Sequence, residues 1–126
     1  MSADWLVRWC GVHSLLFALF HIAFWRLFGW RESLARATVA DRAIVQILNL
    51  RLIYVFFGIA LLCWVYPREL QGSALGRAVL LGMALFWVGR TIEQFVFVRV
   101  NRPLVHVLTA MFVIGAALFG SALLAR

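Results

Sequence analysis

Arg90, Glu93 and Gln94 interrupt an apolar run that extends from Ala78 to Val98. Spacings of three and four residues put the three side chains on one face of a helix. A guanidinium, a carboxylate and an amide on one face can grip an anion, relay a proton or pair among themselves. His13, His21, Asn49, Arg51, Tyr54 and His106 also stand in apolar surroundings. A charged group at the centre of a membrane span costs roughly 2.5–3.5 kcal/mol on insertion scales. Such residues turn away from lipid and mark either a contact between helices or a functional site.

The elements that must position them are membrane spans. The chain has 126 residues, 65% of them hydrophobic and only 13% charged, and its mean hydropathy of +0.96 lies outside the range of soluble domains. The expected fold is an all-α integral membrane protein. Four transmembrane helices form an antiparallel up-down bundle, with a short amphipathic segment between helices 1 and 2. The spans are expected at about 5–29, 42–66, 74–100 and 104–124, within a single domain covering residues 1–126. The net charge of +7, with 12 basic residues that are all arginine, would suggest nucleic acid on a soluble chain. Here the arginines gather at span ends, where the positive-inside rule and anionic head groups account for them, and no nucleic-acid partner is expected.

Local signals punctuate these spans. Trp5, Trp9, Trp25 and Trp30 flank the first as an interfacial belt. That span is long enough to cross, so no removable signal peptide is expected. Ser33 to Ala37 reads as a short interfacial helix or an ordered loop, and Asp41 as the N-cap of the second span. Pro67 to Ser73 reads as a turn. Gly76, Gly82 and Gly89 would let the third span approach a neighbour, Pro103 suits the first turn of the fourth, and Thr109, Ala116 and Gly120 mark a packing stripe. Cys10 and Cys63 read as reduced structural thiols, without a Cys-x-x-Cys pair.

Depth brings the polar residues together. At 1.5 Å per residue, His21 and Arg51 lie about 12–13 Å from the boundary on the side of loops 1-2 and 3-4. Arg90 lies about 15 Å from it or less, and Glu93, Gln94, Asn49 and His106 lie shallower still. Two readings stay open. In one, Arg51, Arg90, Glu93, Gln94, His21, Asn49, Tyr54 and His106 line a polar cavity for a small anionic or amphiphilic molecule such as a lipid head group, a quinone or a carboxylate. In the other, Arg90 and Glu93 pair along their own helix, Arg51 snorkels, and the polar layer is a structural latch.

The alternatives to a binding or transport module are a redox subunit holding haem b or quinone and an assembly partner of another membrane protein. Paired axial histidines should face each other at one depth, and His13, His21 and His106 do not share one. No His-x-x-x-His or Glu-x-x-His spacing points to a metal, and no nucleophile stands beside a base at a recognisable spacing, so no catalytic residue is assigned. In size and span count the chain resembles small multidrug-resistance transporters and dual-topology fluoride channels. Span 1 has no acid beyond Asp4 and the channels' glycine-rich arginine signature is missing, so no residue role follows from the resemblance. The expected partners are the lipid bilayer, the anionic ligand, and a second copy or another membrane protein. Six arginines on the side of loops 1-2 and 3-4 (Arg26, Arg31, Arg36, Arg42, Arg99, Arg102) against four on the terminal side (Arg8, Arg68, Arg77, Arg126) place those loops in the cytoplasm, in a bacterial inner membrane.

Overall fold

The computed structural model describes residues 4–125, so Arg126 of the charge tally lies outside the described residues. Seven α-helices and one 3-10 turn follow in order: α1 Asp4–Ile22, α2 Phe24–Leu27, α3 Trp30–Ser33, the turn Leu34–Arg36, α4 Val39–Val65, α5 Pro67–Gly72, α6 Ala74–Phe97 and α7 Pro103–Leu124. Four of them, α1, α4, α6 and α7, are long and apolar enough to cross a membrane. In hydrocarbon a helix satisfies its backbone groups within its own segment, which is why apolar runs of this length fold so. Their outer faces carry Trp9, Leu16, Ile47, Leu61, Leu85 and Ile114, all well exposed, as surfaces made for lipid do.

The first span departs from expectation. A single helix to Gly29 is expected, but α1 stops at Ile22, where the Ala23 N–H is shared between Leu19 O at 3.3 Å and Phe20 O at 3.0 Å. That doubled bond tightens the final turn and ends the ladder without a proline. Phe20, Phe24 and Phe28 then stack edge to face along the interruption, with centroids 5.0 and 4.9 Å apart, and Trp30 closes on Phe24 at 5.5 Å. Gly29 has φ of 57°, a left-handed conformation that redirects the chain into α3 and that a residue with a Cβ rarely adopts.

Helix starts also differ from the sequence reading. Thr38, not Asp41, caps α4: its Oγ1 accepts the Asp41 N–H at 3.1 Å, which places Asp41 inside the first turn, where a carboxylate complements the helix dipole. The expected turn at Pro67–Ser73 is the short helix α5, with Pro67 in its first turn. Ser73 connects it to α6, its Oγ donating to Glu69 O at 2.7 Å and accepting the Gly76 N–H at 2.9 Å.

The chain divides into two compact units, residues 11–61 and the remainder. In the first, Phe17, Ala18, Phe56 and Ala60 are buried. In the second, α6 pairs with α7 through Trp87 and Phe112, stacked at 5.6 Å and 21°, while Leu80, Phe119 and Ala122 are buried. The buried stripe of α7 is therefore Phe112, Gly115, Phe119 and Ala122, and Thr109, Ala116 and Gly120 flank it. Rings and small residues share this buried stripe, Phe112 and Phe119 alternating with Gly115 and Ala122. Of the three glycines in α6, Gly76 meets a close neighbour, the backbone of Glu69 and Leu70, while a Cβ at Gly82 or Gly89 would meet nothing within 4 Å.

A methyl group at Gly76 would overlap Glu69 O and Leu70 Cα, both backbone atoms that cannot swing aside. Gly76→Ala is expected to destabilise the protein by about 1–3 kcal/mol through overpacking. Thermal unfolding in one detergent should show that loss, with Gly82→Ala as the tolerated comparison.

Candidate functional site

The eight residues singled out by sequence fall into four pairs, two in each unit. In the unit of residues 11–61, His21 and Asn49 form the first. Asn49 is 7% exposed and donates from Nδ2 to His21 O at 3.0 Å, a carbonyl in the last turn of α1 that the helix itself leaves open. The His21 ring bonds through Nδ1 to Phe17 O at 2.7 Å and stacks on Phe24 at 4.3 Å. Both polar side chains thus hold the interruption after Ile22 in place. Asn49 Oδ1 is buried and has no hydrogen-bond partner among the described residues.

Arg51 and Tyr54 form the second pair, on the exposed side of α4. The guanidinium lies 5.5 Å from the Tyr54 ring centroid, and Tyr54 is itself 70% exposed. A cation–π contact in an exposed setting returns about 0.5–1 kcal/mol. Against an insertion cost of roughly 2.5–3.5 kcal/mol at mid-span, the ring offsets only a fraction. Arg51 takes part in neither of the ion pairs seen among the described residues, Arg68 with Asp4 and Arg90 with Glu93.

In the other unit, Arg90 Nη1 and Glu93 Oε1 pair at 2.9 Å within α6, their side chains 36% and 52% exposed. The same guanidinium lies 4.6 Å from the Phe112 ring centroid, so it braces α6 on α7. This is the pairing along one helix that the latch reading foresees for these two residues.

Gln94 and His106 make the fourth pair and share a pocket. Gln94 is 4% exposed and its Nε2 donates to Val105 O at 3.2 Å. His106 Nε2 bonds to Asn101 Oδ1 at 2.7 Å. Around them, at the end of α6 and the start of α7, is a pocket of about 560 Å³. Val98, Val105 and Ala110 give it an apolar wall, and Arg99, Asn101 and Thr109 add polar groups. A volume of this size falls within the range of small-molecule sites, about 300–1,000 Å³. The connection is compact, with Arg102 N–H bonded to Val100 O at 3.2 Å.

Arg99, Asn101 and Thr109 are the polar lining residues that sequence reasoning leaves out of the site. The polar run Arg99-x-Asn101-Arg102 was the available signal, but arginines at a span end are explained by interfacial charge alone. Among the described residues no three His, Cys, Asp or Glu side chains come together as a metal site would need.

The fold and these contacts define the class: a polytopic α-helical protein of the integral membrane type, with an open pocket at one helix connection. No family model, curated protein or solved structure matches the chain.

Asn49→Ala would leave His21 O without its side-chain donor. Interhelical hydrogen bonds within membranes contribute about 0.6 kcal/mol on average and up to about 1.7, so a loss within that range is expected. Equilibrium unfolding in mixed micelles measures it, and Gln94→Ala, which removes the donor to Val105 O, should show a loss of the same order.

Proposed function

We propose that the protein is a membrane-embedded binding module for an anionic amphiphile, held in the pocket between the end of α6 and the start of α7. The observation that carries this reading is the composition of that pocket. Its lining joins apolar Val98, Val105 and Ala110 to Arg99, the Asn101–His106 pair and Gln94. An amphiphile needs both halves. Gln94 stands three residues inside the end of α6 and Thr109 six residues inside α7, so the pocket reaches about 5–9 Å from the connection toward the hydrocarbon. An acyl chain can leave along Val98, Val105 and Ala110 while its phosphate or carboxylate stays with Arg99. Guanidinium suits both oxyanions, because its forked donors match two oxygens at once.

In this reading the four spans cross in alternate directions. The segment from Trp30 to Arg36 lies along the interface as an amphipathic stretch, and the loops with more arginine, including Arg99 and Arg102, face the cytoplasm of a bacterial cell. There the anionic leaflet would supply the ligand. Arg90 and Glu93 support the α6–α7 pair beneath the pocket instead of gripping the anion.

Binding of dihexanoyl phosphatidylglycerol, the same-chain phosphatidylcholine and decanoate to purified protein tests this. The two anions should bind and the zwitterion should not. Arg99→Gln should weaken anion binding roughly 10- to 100-fold, the equivalent of one charged hydrogen bond of about 1.5–3 kcal/mol. Ala110→Phe, which fills the pocket without changing charge, should weaken it comparably. If Ala110→Phe binds like the wild type, the anions are collecting on surface arginines and the pocket reading is wrong.

A further inference from the structure

Arg51 carries a second inference, independent of the pocket. It stands twelve residues from the start of α4 and fourteen from its end, about 18 and 21 Å along the axis. Even with Arg42 set at the membrane boundary, Arg51 is about 13 Å inside. The face around it is well defined. Asn49, Phe56, Ala60 and Cys63 are buried on one stripe of α4, while Ile44, Ile47, Leu48, Tyr54, Val55 and Leu61 are exposed. Arg51 is exposed with them, and only the Tyr54 ring is seen against its guanidinium. Lipid is a fitting neighbour for every other side chain of this face and an unsuitable one for a guanidinium.

Three occupants could cover it. A lipid phosphate sits at head-group level, too far out for a guanidinium at this depth to meet without deforming the bilayer. A second copy docked through the same face about a two-fold axis would bring Arg51 against Arg51, and like charges repel most strongly where the dielectric is low. The chain's own acids are few, Asp4, Glu32, Asp41, Glu69 and Glu93, and Glu93, the one deepest in a long span, is already paired with Arg90. A foreign carboxylate remains. We propose that the Arg51–Tyr54 face of α4 docks a transmembrane helix of a different protein that carries an aspartate or glutamate near the middle of its span. Charge complementarity selects that helix, and the exposed apolar residues around Arg51 supply the packing. Beside Gly58, where a Cβ would meet nothing within 4 Å, the approaching backbone has room.

The test starts from full-length protein extracted with its native membrane in lipid nanodiscs, with co-purifying proteins identified by mass spectrometry. A stoichiometric partner with an acidic residue inside a predicted span is expected. Arg51→Glu should weaken that association by at least about 30-fold, as loss of a buried charge partner does. Replacing the partner's acid by arginine in the same cells should restore it. Arg51→Leu, which keeps an apolar face, should also lose the partner while raising the thermal midpoint of the isolated protein. The inference is overturned if no partner co-purifies or if the partner has no intramembrane acid. It is equally overturned if Arg51→Glu leaves the complex intact, if the reciprocal exchange fails to restore it, or if the Tyr54→Cys or Gly58→Cys variant cross-links two copies of this chain.

Discussion

A peptide carbonyl in hydrocarbon has no water to turn to, so each one that a helix end leaves open must find a donor in the protein. That requirement explains two of the polar side chains directly: Asn49 supplies His21 O in the last turn of α1 and Gln71 supplies Ala122 O in the last turn of α7, at 3.0 and 3.1 Å. Gln94 to Val105 O at 3.2 Å and Trp64 Nε1 to Arg8 O at 3.1 Å add a further donor to carbonyls that lie within a helix. Arg42 spans the 3-10 turn, donating from Nε to Leu34 O at 2.9 Å and from Nη2 to Ala37 O at 3.3 Å. Each donor is a side chain N–H, and each acceptor is a main-chain oxygen. Amides, an indole and a guanidinium suit this role because each offers a donor without bringing an uncompensated negative charge into the bilayer.

The same requirement lets α1 end where it does. An interruption after Ile22 exposes carbonyls at a depth where exposure is costly, yet Ala23 N–H takes two of them and Asn49 a third. Aromatic packing along Phe20, Phe24, Phe28 and Trp30 holds the chain on the far side of the break. Neither set of contacts suffices alone: rings cannot satisfy a carbonyl, and one amide cannot orient two short helices. Together they convert an expected straight span into a helix followed by a folded, aromatic segment.

Much of the architecture was legible because it follows from length and hydropathy. Four apolar runs of this length specify four long helices, and Pro103 marks a helix start by its own chemistry. Thr38 did not stand out, because Asp41, three residues on, offers the same capping chemistry. The break at Ala23 was not legible, since no glycine or proline stands there and the deciding partner, Asn49, is 26 residues away. Among the residues singled out by sequence, Asn49 and Gln94 donate to main-chain carbonyls, and an amide that grips a ligand looks the same in sequence as one that bonds a carbonyl. Arg90 and Glu93 were legible as a pair from their spacing, and the ring of Phe112 beneath Arg90 was not. Of the eight residues singled out, two line the pocket, Gln94 and His106. Gln94 and His106 stood out inside apolar runs, whereas Arg99 and Asn101, in a connection, carried no contrast with their surroundings.

Ranking the arginines by what compensates them separates structural from unfinished chemistry. Arg42 is bound to two carbonyls of a tight turn, and Arg90 has both a carboxylate and an aromatic face. Those two are accounted for by the fold. Arg99 stands at a connection, where water and head groups solvate a guanidinium whether or not a ligand is present, so its place in a pocket wall argues from geometry and not from need. Arg51 is the reverse case. The proposal for it rests on energetic deficit, because a single exposed tyrosine ring returns less than a mid-span position costs. The two proposals therefore rest on independent kinds of evidence, geometry for Arg99 and energetic deficit for Arg51, and each stands or falls without the other.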